Sequence, residues 1–165
     1  MVKRIWITLL FVAALPVAAL AQSSGGTGPV ATAWGPRFGF SSGPDQFLFG
    51  GQLDLGNLAP DLTLTPNVDI GIGDNATTIS LNGDIHYHFR VQNSPWRPYV
   101  GGGIAFTHIN VDVGPSDYSD TDVVANFIFG AIVPTQSGSR FFTELKLGLG
   151  DVHDFKLLIG WNFRL

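Results

Sequence analysis

The chain has 165 residues, 45% of them hydrophobic and 13% charged, with a formal net charge of −4; that is enough for one domain and short for two. The absence of cysteine excludes disulfides as the device holding the fold together, and the acidic balance argues against nucleic acid as a partner, since phosphate binding needs a basic stripe. With 21 Gly, 13 Phe and 4 Trp against 1 Met and the lone glutamate Glu144, the composition favours strands and turns over helices.

The first segment reads as a leader. Lys3 and Arg4 form a positive start, Ile5 to Val17 an apolar stretch, and Ala19-Leu20-Ala21 a small-x-small site, which together predict a signal peptide over 1–21 cleaved before Gln22. No cysteine follows the apolar stretch, which argues against a lipoprotein anchor. After Ala21 no apolar run approaches the roughly 20 residues that a spanning helix needs. Residues 22–32, rich in Gly, Ser and Thr, read as a flexible lead-in.

Eight alternating stretches follow. The first, 33–42, sets Trp34, Pro36, Phe38 and Phe40 against Ala33, Gly35, Arg37, Gly39 and Ser41, because successive side chains of a strand point to opposite faces. Gly43-Pro44-Asp45 turns the chain. The second, 46–56, sets Phe47, Phe49, Leu53 and Leu55 against Gln52 and Asp54, and a turn at 57–60 leads to the third, 61–73, with Leu62, Leu64, Val68, Ile70 and Ile72 against Asp61, Thr65, Asn67 and Asp69. After a turn at Asp74-Asn75 the fourth, 77–91, alternates most cleanly, with Ile79, Leu81, Ile85, Tyr87, Phe89 and Val91 facing away from Asn82, Asp84, His86, His88 and Arg90.

Gln92 to Pro95 is the next turn. The fifth stretch, 96–113, is blurred by Gly101-Gly102-Gly103, which reads as a bend or bulge, while Val100, Ile104 and Phe106 suggest its apolar face. Gly114 to Thr121 reads as the longest loop, carrying Asp117 and Asp120 with Asp112 and Asp122 beside it. The sixth, 122–133, sets Val123, Phe127, Phe129 and Val133 against Asn126, and the seventh, 139–149, sets Phe141, Leu145, Leu147 and Leu149 against Arg140, Glu144 and Lys146. The last, 154–165, sets Phe155, Leu157, Ile159, Trp161, Phe163 and Leu165 against Lys156, Leu158, Gly160, Asn162 and Arg164.

Eight such strands joined by short turns suit an all-β, antiparallel, up-and-down transmembrane β-barrel over 33–165, whose apolar face meets acyl chains and whose polar face lines the lumen. With an even count both termini fall on one side, expected to be periplasmic. Trp34, Tyr87, Phe89, Trp96, Tyr99, Phe141 and Trp161 then form an aromatic girdle at that interface, with Phe40, Phe47, Phe106 and Phe155 at the other. The inward face carries Arg37, Arg90, Arg140, Lys146, Lys156 and Arg164 with Asp54, Asp69, Asp84, Glu144, His86 and His88. An eight-stranded barrel is just wide enough for side chains to fill it, and unpaired buried charge costs several kcal/mol. A lumen plugged by ion pairs, with no large pore, is therefore expected.

The final strand also carries a resemblance. Gly160, five residues before the end, Phe163, two before it, and the apolar Leu165 follow the C-terminal pattern of bacterial outer-membrane barrels, although Leu165 is not aromatic and Leu158 stands where a polar residue is usual. On this motif and the strand pattern the chain resembles the small outer-membrane β-barrel group of the OmpA membrane domain and OmpX. The resemblance implies that Gly160, Phe163 and Leu165 are read by the barrel-assembly machinery. It also implies residence in the outer membrane of a Gram-negative-type bacterium, in contact with lipid and lipopolysaccharide, and an envelope-structural or surface-interaction role. A monomer without cofactor is expected.

Other readings are weighed beside this one. His86 and His88 share a face and would suit a metal, but no third ligand is evident, so two lumen histidines beside Asp84 are favoured. The aspartates of 112–122 lack the spacing of a calcium loop. A barrel enzyme acting on lipid A, as in the lipid A deacylase family, needs a serine two residues after its histidine; here His86, His88, His108 and His153 are followed at that place by His88, Arg90, Asn110 and Phe155, so no enzyme is expected. A soluble lipocalin-like binder would turn the apolar faces inward instead.

Overall fold

The computed structural model describes residues 30–73, 76–113, 116–149 and 155–165. The signal peptide expected over 1–21, the start of the lead-in, and the turns at 74–75, 114–115 and 150–154 lie outside the described residues. Eight strands are present: β1 Val30–Ser42, β2 Gln46–Ala59, β3 Leu62–Gly73, β4 Ala76–His88, β5 Arg97–Val113, β6 Ser116–Pro134, β7 Arg140–Leu149 and β8 Phe155–Arg164. Each pairs antiparallel with its sequence neighbours and β1 pairs with β8, so the sheet closes into a barrel in up-and-down order. Even the shortest strands, β7 and β8, have 10 residues, enough to cross a bilayer when tilted. Ala33 lies opposite Arg164 and the Leu165 amide donates to the Thr32 carbonyl, so the described chain begins and ends at one mouth of the barrel.

Alternation sets what faces each way. Phe38, Phe49, Leu81, Ile85, Ile104, Phe106, Phe127, Phe129, Leu157 and Ile159 are exposed on the outer wall, while Arg37, Asp69, Asp84, Glu144 and Lys146 are buried inside. The outer face is greasy and the inner face charged. That is the reverse of a lipocalin-like barrel, which would bury the first set. Leu53 and Leu55, expected among the exposed outer residues, are buried; Leu53 lies opposite Trp34 and Leu55 opposite Leu64.

Several points differ from the sequence reading. β1 begins at Val30 and β2 runs to Ala59, so residues 30–32 of the expected lead-in and 57–59 of the expected turn are strand, with Val30 opposite Gly56 and Ala59 opposite Leu62. The glycine run 101–103 is neither a bend nor a bulge, because β5 keeps an unbroken register with β4 and β6 along its length. Gly101 lies opposite His86 and Gly103 opposite Asp84, and the His86 ring and the Asp84 carboxylate crowd the places where a Cβ on each glycine would stand. Of the long loop expected at 114–121, residues 116–121 are strand instead: β5 and β6 pair as far as Val113 opposite Ser116. Its polar residues pair across the ladder, with His108 Nδ1 2.8 Å from Thr121 Oγ1, so composition alone misread a hairpin as a loop. Since β7 ends opposite Ala125, the β5–β6 hairpin outruns it. Finally β4 stops at His88, not Val91, because its partner β3 begins at Leu62, opposite Tyr87, after Asp61 turns the chain with φ 62°.

Candidate functional site

The lumen charges sit in two tiers. In the middle tier Arg37 of β1 reaches past β8, where its Nη2 lies 2.8 Å from Glu144 Oε1 of β7. Its Nη1 donates to Gln52 Oε1 at 3.1 Å, and its Nε lies 3.0 Å from Asp69 Oδ1 of β3 without hydrogen-bond geometry. Lys146, also on β7, crosses to Asp84 of β4, and Asn67 donates to the same carboxylate at 2.7 Å. Arg37, Lys146, Asp69, Asp84 and Glu144 are all at most 1% exposed. Groups so buried persist only when paired, because removing one partner strands the other in a low dielectric.

The second tier lies toward the mouth that holds the termini. Arg140 Nη2 lies 3.1 Å from Asp54 Oδ2, which also accepts from Asn162 Nδ2 at 3.0 Å. Gln52 Nε2 in turn donates to Asn162 Oδ1 at 2.9 Å and links the two tiers. Gln52, Asn67 and Asn162 are therefore members of the network that a search for charges alone passes over. Lys156 is buried on the lumen side of β8, opposite Lys146.

Two expected members lie elsewhere. Arg90 follows the end of β4 and is exposed, its Nη2 2.9 Å from Asp61 Oδ1; the hydrogen bond to Asp61 holds its guanidinium above the ordinary value. Arg164 is exposed at the end of β8, where the wall runs out. The aromatic girdle also needs one correction. Trp34, Tyr87, Phe89, Trp96 and Trp161 are exposed and Phe141 half-buried, with close ring pairs Trp34–Phe163, Tyr87–Phe89 and Phe141–Trp161. Tyr99 instead points into the lumen at 3% exposure, and its hydroxyl donates to Glu144 Oε2 at 2.8 Å.

Backbone register explains the inward tyrosine. Tyr99 lies opposite Gly130 on β6, and a Cβ on that glycine would run into the tyrosine ring. The ring thus fills the place of the missing side chain, an arrangement that steadies glycine in a sheet. Tyr99 stacks on His86 with centroids 4.7 Å apart and lies 5.3 Å from His88. It joins Ile128, Ile132 and Phe142 in a buried apolar cluster inside the barrel, which the search for an ionic lumen missed. Gly160 serves a similar end: Phe142 and the Pro36 carbonyl press against it where a Cβ would stand. His86 Nε2 is 3.7 Å from Glu144 Oε2, and no three acidic or histidine side chains among the described residues converge as a metal site would require.

Above the network a cavity of about 100 Å³, lined by Ser41, Leu48, Thr78, Ile109, Asn126 and Lys156 among others, opens toward the far end. At the mouth with the termini a larger one of about 520 Å³ is lined by Asp61, His88, Arg90, Arg97, Ile132 and Arg140 among others. The two lie on either side of the packed middle tier and the apolar cluster.

No family model and no curated protein matches the chain. Among solved structures it is similar to the N-terminal β-barrel domain of Pseudomonas aeruginosa OprF, at 19% identity and TM-score 0.71 over 84% of this chain and 99% of that one. It is similar to Neisserial surface protein A at 16% identity and TM-score 0.65, over 81% and 96%. The outer membrane enzyme PagL aligns at 13% identity and TM-score 0.52, over 81% and 99%. With a closed eight-stranded meander, a charged lumen and an apolar outer wall, this chain has the fold of the small outer-membrane β-barrels.

Proposed function

We propose that the protein spans the outer membrane of a Gram-negative-type bacterium as a monomeric barrel with a structural role in the envelope, its lumen closed to solutes. The observation that carries this reading is the inversion of the wall. Large apolar side chains such as Phe47, Leu81, Ile104, Phe106 and Phe127 stand at least half exposed all round the outside, a continuous surface far beyond the few hundred Å² that a soluble monomer shows. In a bilayer that surface is solvated by acyl chains, and closure of the sheet by β1 on β8 lets the ladder satisfy backbone groups within the wall. Inside, ion pairs and the Tyr99–Phe142 cluster fill the cross-section, which supports a plug and not a pore.

The lone glutamate is held in the lumen by Arg37 and Tyr99. It is thus turned away from any lipid-facing catalytic site, which supports a non-enzymatic reading despite the fold shared with PagL. The β5–β6 hairpin supports a second reading, a surface contact, because it runs past β7 with Tyr118 and Val123 exposed at 59% and 65%. A strain lacking the protein separates the two. Greater uptake of a bulky hydrophilic dye with unchanged cell binding is expected from the structural role, and lost cell binding with an unchanged barrier would replace it by the contact role.

A further inference from the structure

The structural reading leaves the cavity at the mouth with the termini unused. It is lined by three guanidiniums from three separate elements: Arg97 at the start of β5, Arg140 at the start of β7 and Arg90 on the link between β4 and β5. Arg97 lies opposite Ile132, a buried lumen residue, so the register puts it on the inward face with Tyr99. Asp61 is the one carboxylate in the cavity wall, and it is taken by Arg90. Beneath the wall Asp54 takes a single edge of Arg140, whose Nε is buried without a hydrogen-bond partner. Arg97 makes no side-chain hydrogen bond or ion pair among the described residues.

We infer that this vestibule binds a phosphate group, with Arg97 and the unused edges of Arg140 and Arg90 as its ligands. A guanidinium is a planar fork suited to oxyanions. Three forks arriving from different elements exceed what the two oxygens of a carboxylate take up, whereas a tetrahedral phosphate presents oxygens in several directions. The volume, about 520 Å³, is that of a small-ligand site, and its floor of Ile132 keeps one side dry. The mouth opens beside the exposed rings of Trp34, Tyr87, Phe89 and Trp96, the level at which a membrane would present its headgroups. The phosphate therefore has two sources, a phospholipid headgroup or a soluble phosphate.

The test uses the refolded full barrel in an uncharged detergent, titrated at constant ionic strength with inorganic phosphate in one arm and with short-chain phosphatidylglycerol in the other. Arginine Nε–H resonances report the binding. Saturable shifts of the Arg97 and Arg140 signals are expected in at least one arm, and the responding arm identifies the source. Arg97→Gln removes a side chain with no partner among the described residues, so it should fold as the wild type does, confirmed by unchanged heat-dependent gel mobility. It should weaken binding at least about tenfold, the loss of one charge-assisted hydrogen bond. Absence of saturable shifts in both arms, or equal affinity of Arg97→Gln and wild type, would overturn the assignment.

Discussion

Arg37 and Glu144 meet inside the barrel from strands that are not neighbours: Nη2 and Oε1 stand 2.8 Å apart across the width of β8, both groups at most 1% exposed. The pair ties the first strand to the seventh over the seam where β1 and β8 close the sheet. Glu144 also accepts from Tyr99 on β5, so one carboxylate joins three strands.

Replacing Glu144 by alanine leaves Arg37 with Gln52 and one carboxylate, Asp69, within ion-pair distance, and the Tyr99 hydroxyl without its acceptor. A loss of about 3–5 kcal/mol is expected, as for a buried pair broken on one side. Charge reversal at the exposed Arg164 should stay within about 0.5 kcal/mol. Urea unfolding in detergent checks both, and equal losses would contradict the arrangement of the lumen.

Tyr99→Phe keeps the ring over Gly130 and removes one hydrogen bond to a charged group. The expected cost is about 1.5–3 kcal/mol, and folding should survive. Wild-type stability of this variant in the same unfolding measurement would show that the hydroxyl does not serve Glu144.

Much of this was readable beforehand, and the exceptions have physical causes. The alternation in β4 and β8 is strict, so the faces of Leu81 and Asp84 or of Lys156 and Ile159 follow from period two alone. Parity alone places Tyr99: with Val100, Ile104 and Phe106 outward, residue 99 has to point in, whereas its aromatic identity suggests the interfacial girdle. Arg90 continues the inward parity beyond the last ladder pair of β4, and Arg164 continues it past β7, whose pairing with β8 stops at Asn162, so the wall that would bury each runs out; where a strand ends depends on its partner. Ile128, Ile132 and Phe142 are apolar residues at lumen parity, and apolar identity alone does not set them apart from the outer wall.

Gly160 stands at a position of the expected C-terminal pattern, and its packing gives that position a structural role. Gly160→Ala would push a methyl group into Phe142 and the Pro36 carbonyl, an overpacking that costs about 1–3 kcal/mol. A paired Phe142→Leu substitution should recover part of it. Lack of any recovery in unfolding experiments would mean that the glycine is needed for another reason.

In planar bilayers the wild-type protein should show no large, steady conductance. Arg37 and Phe142 head the fully buried side chains by volume, so removing both by Arg37→Ala and Phe142→Ala should open a measurable leak. Large steady currents through the wild-type barrel would refute the plugged lumen.

Which face of the wall meets lipid decides whether the barrel spans a membrane. Because the chain has no cysteine, single cysteines at Leu81, Phe106 and Ile159 and at Asn82 can each carry a nitroxide label without interference. In lipid nanodiscs the first three should collide freely with oxygen and be shielded from a water-soluble nickel chelate, while Asn82 should be shielded from both. Ready access of the nickel chelate to Leu81, Phe106 and Ile159 would contradict the membrane-spanning barrel.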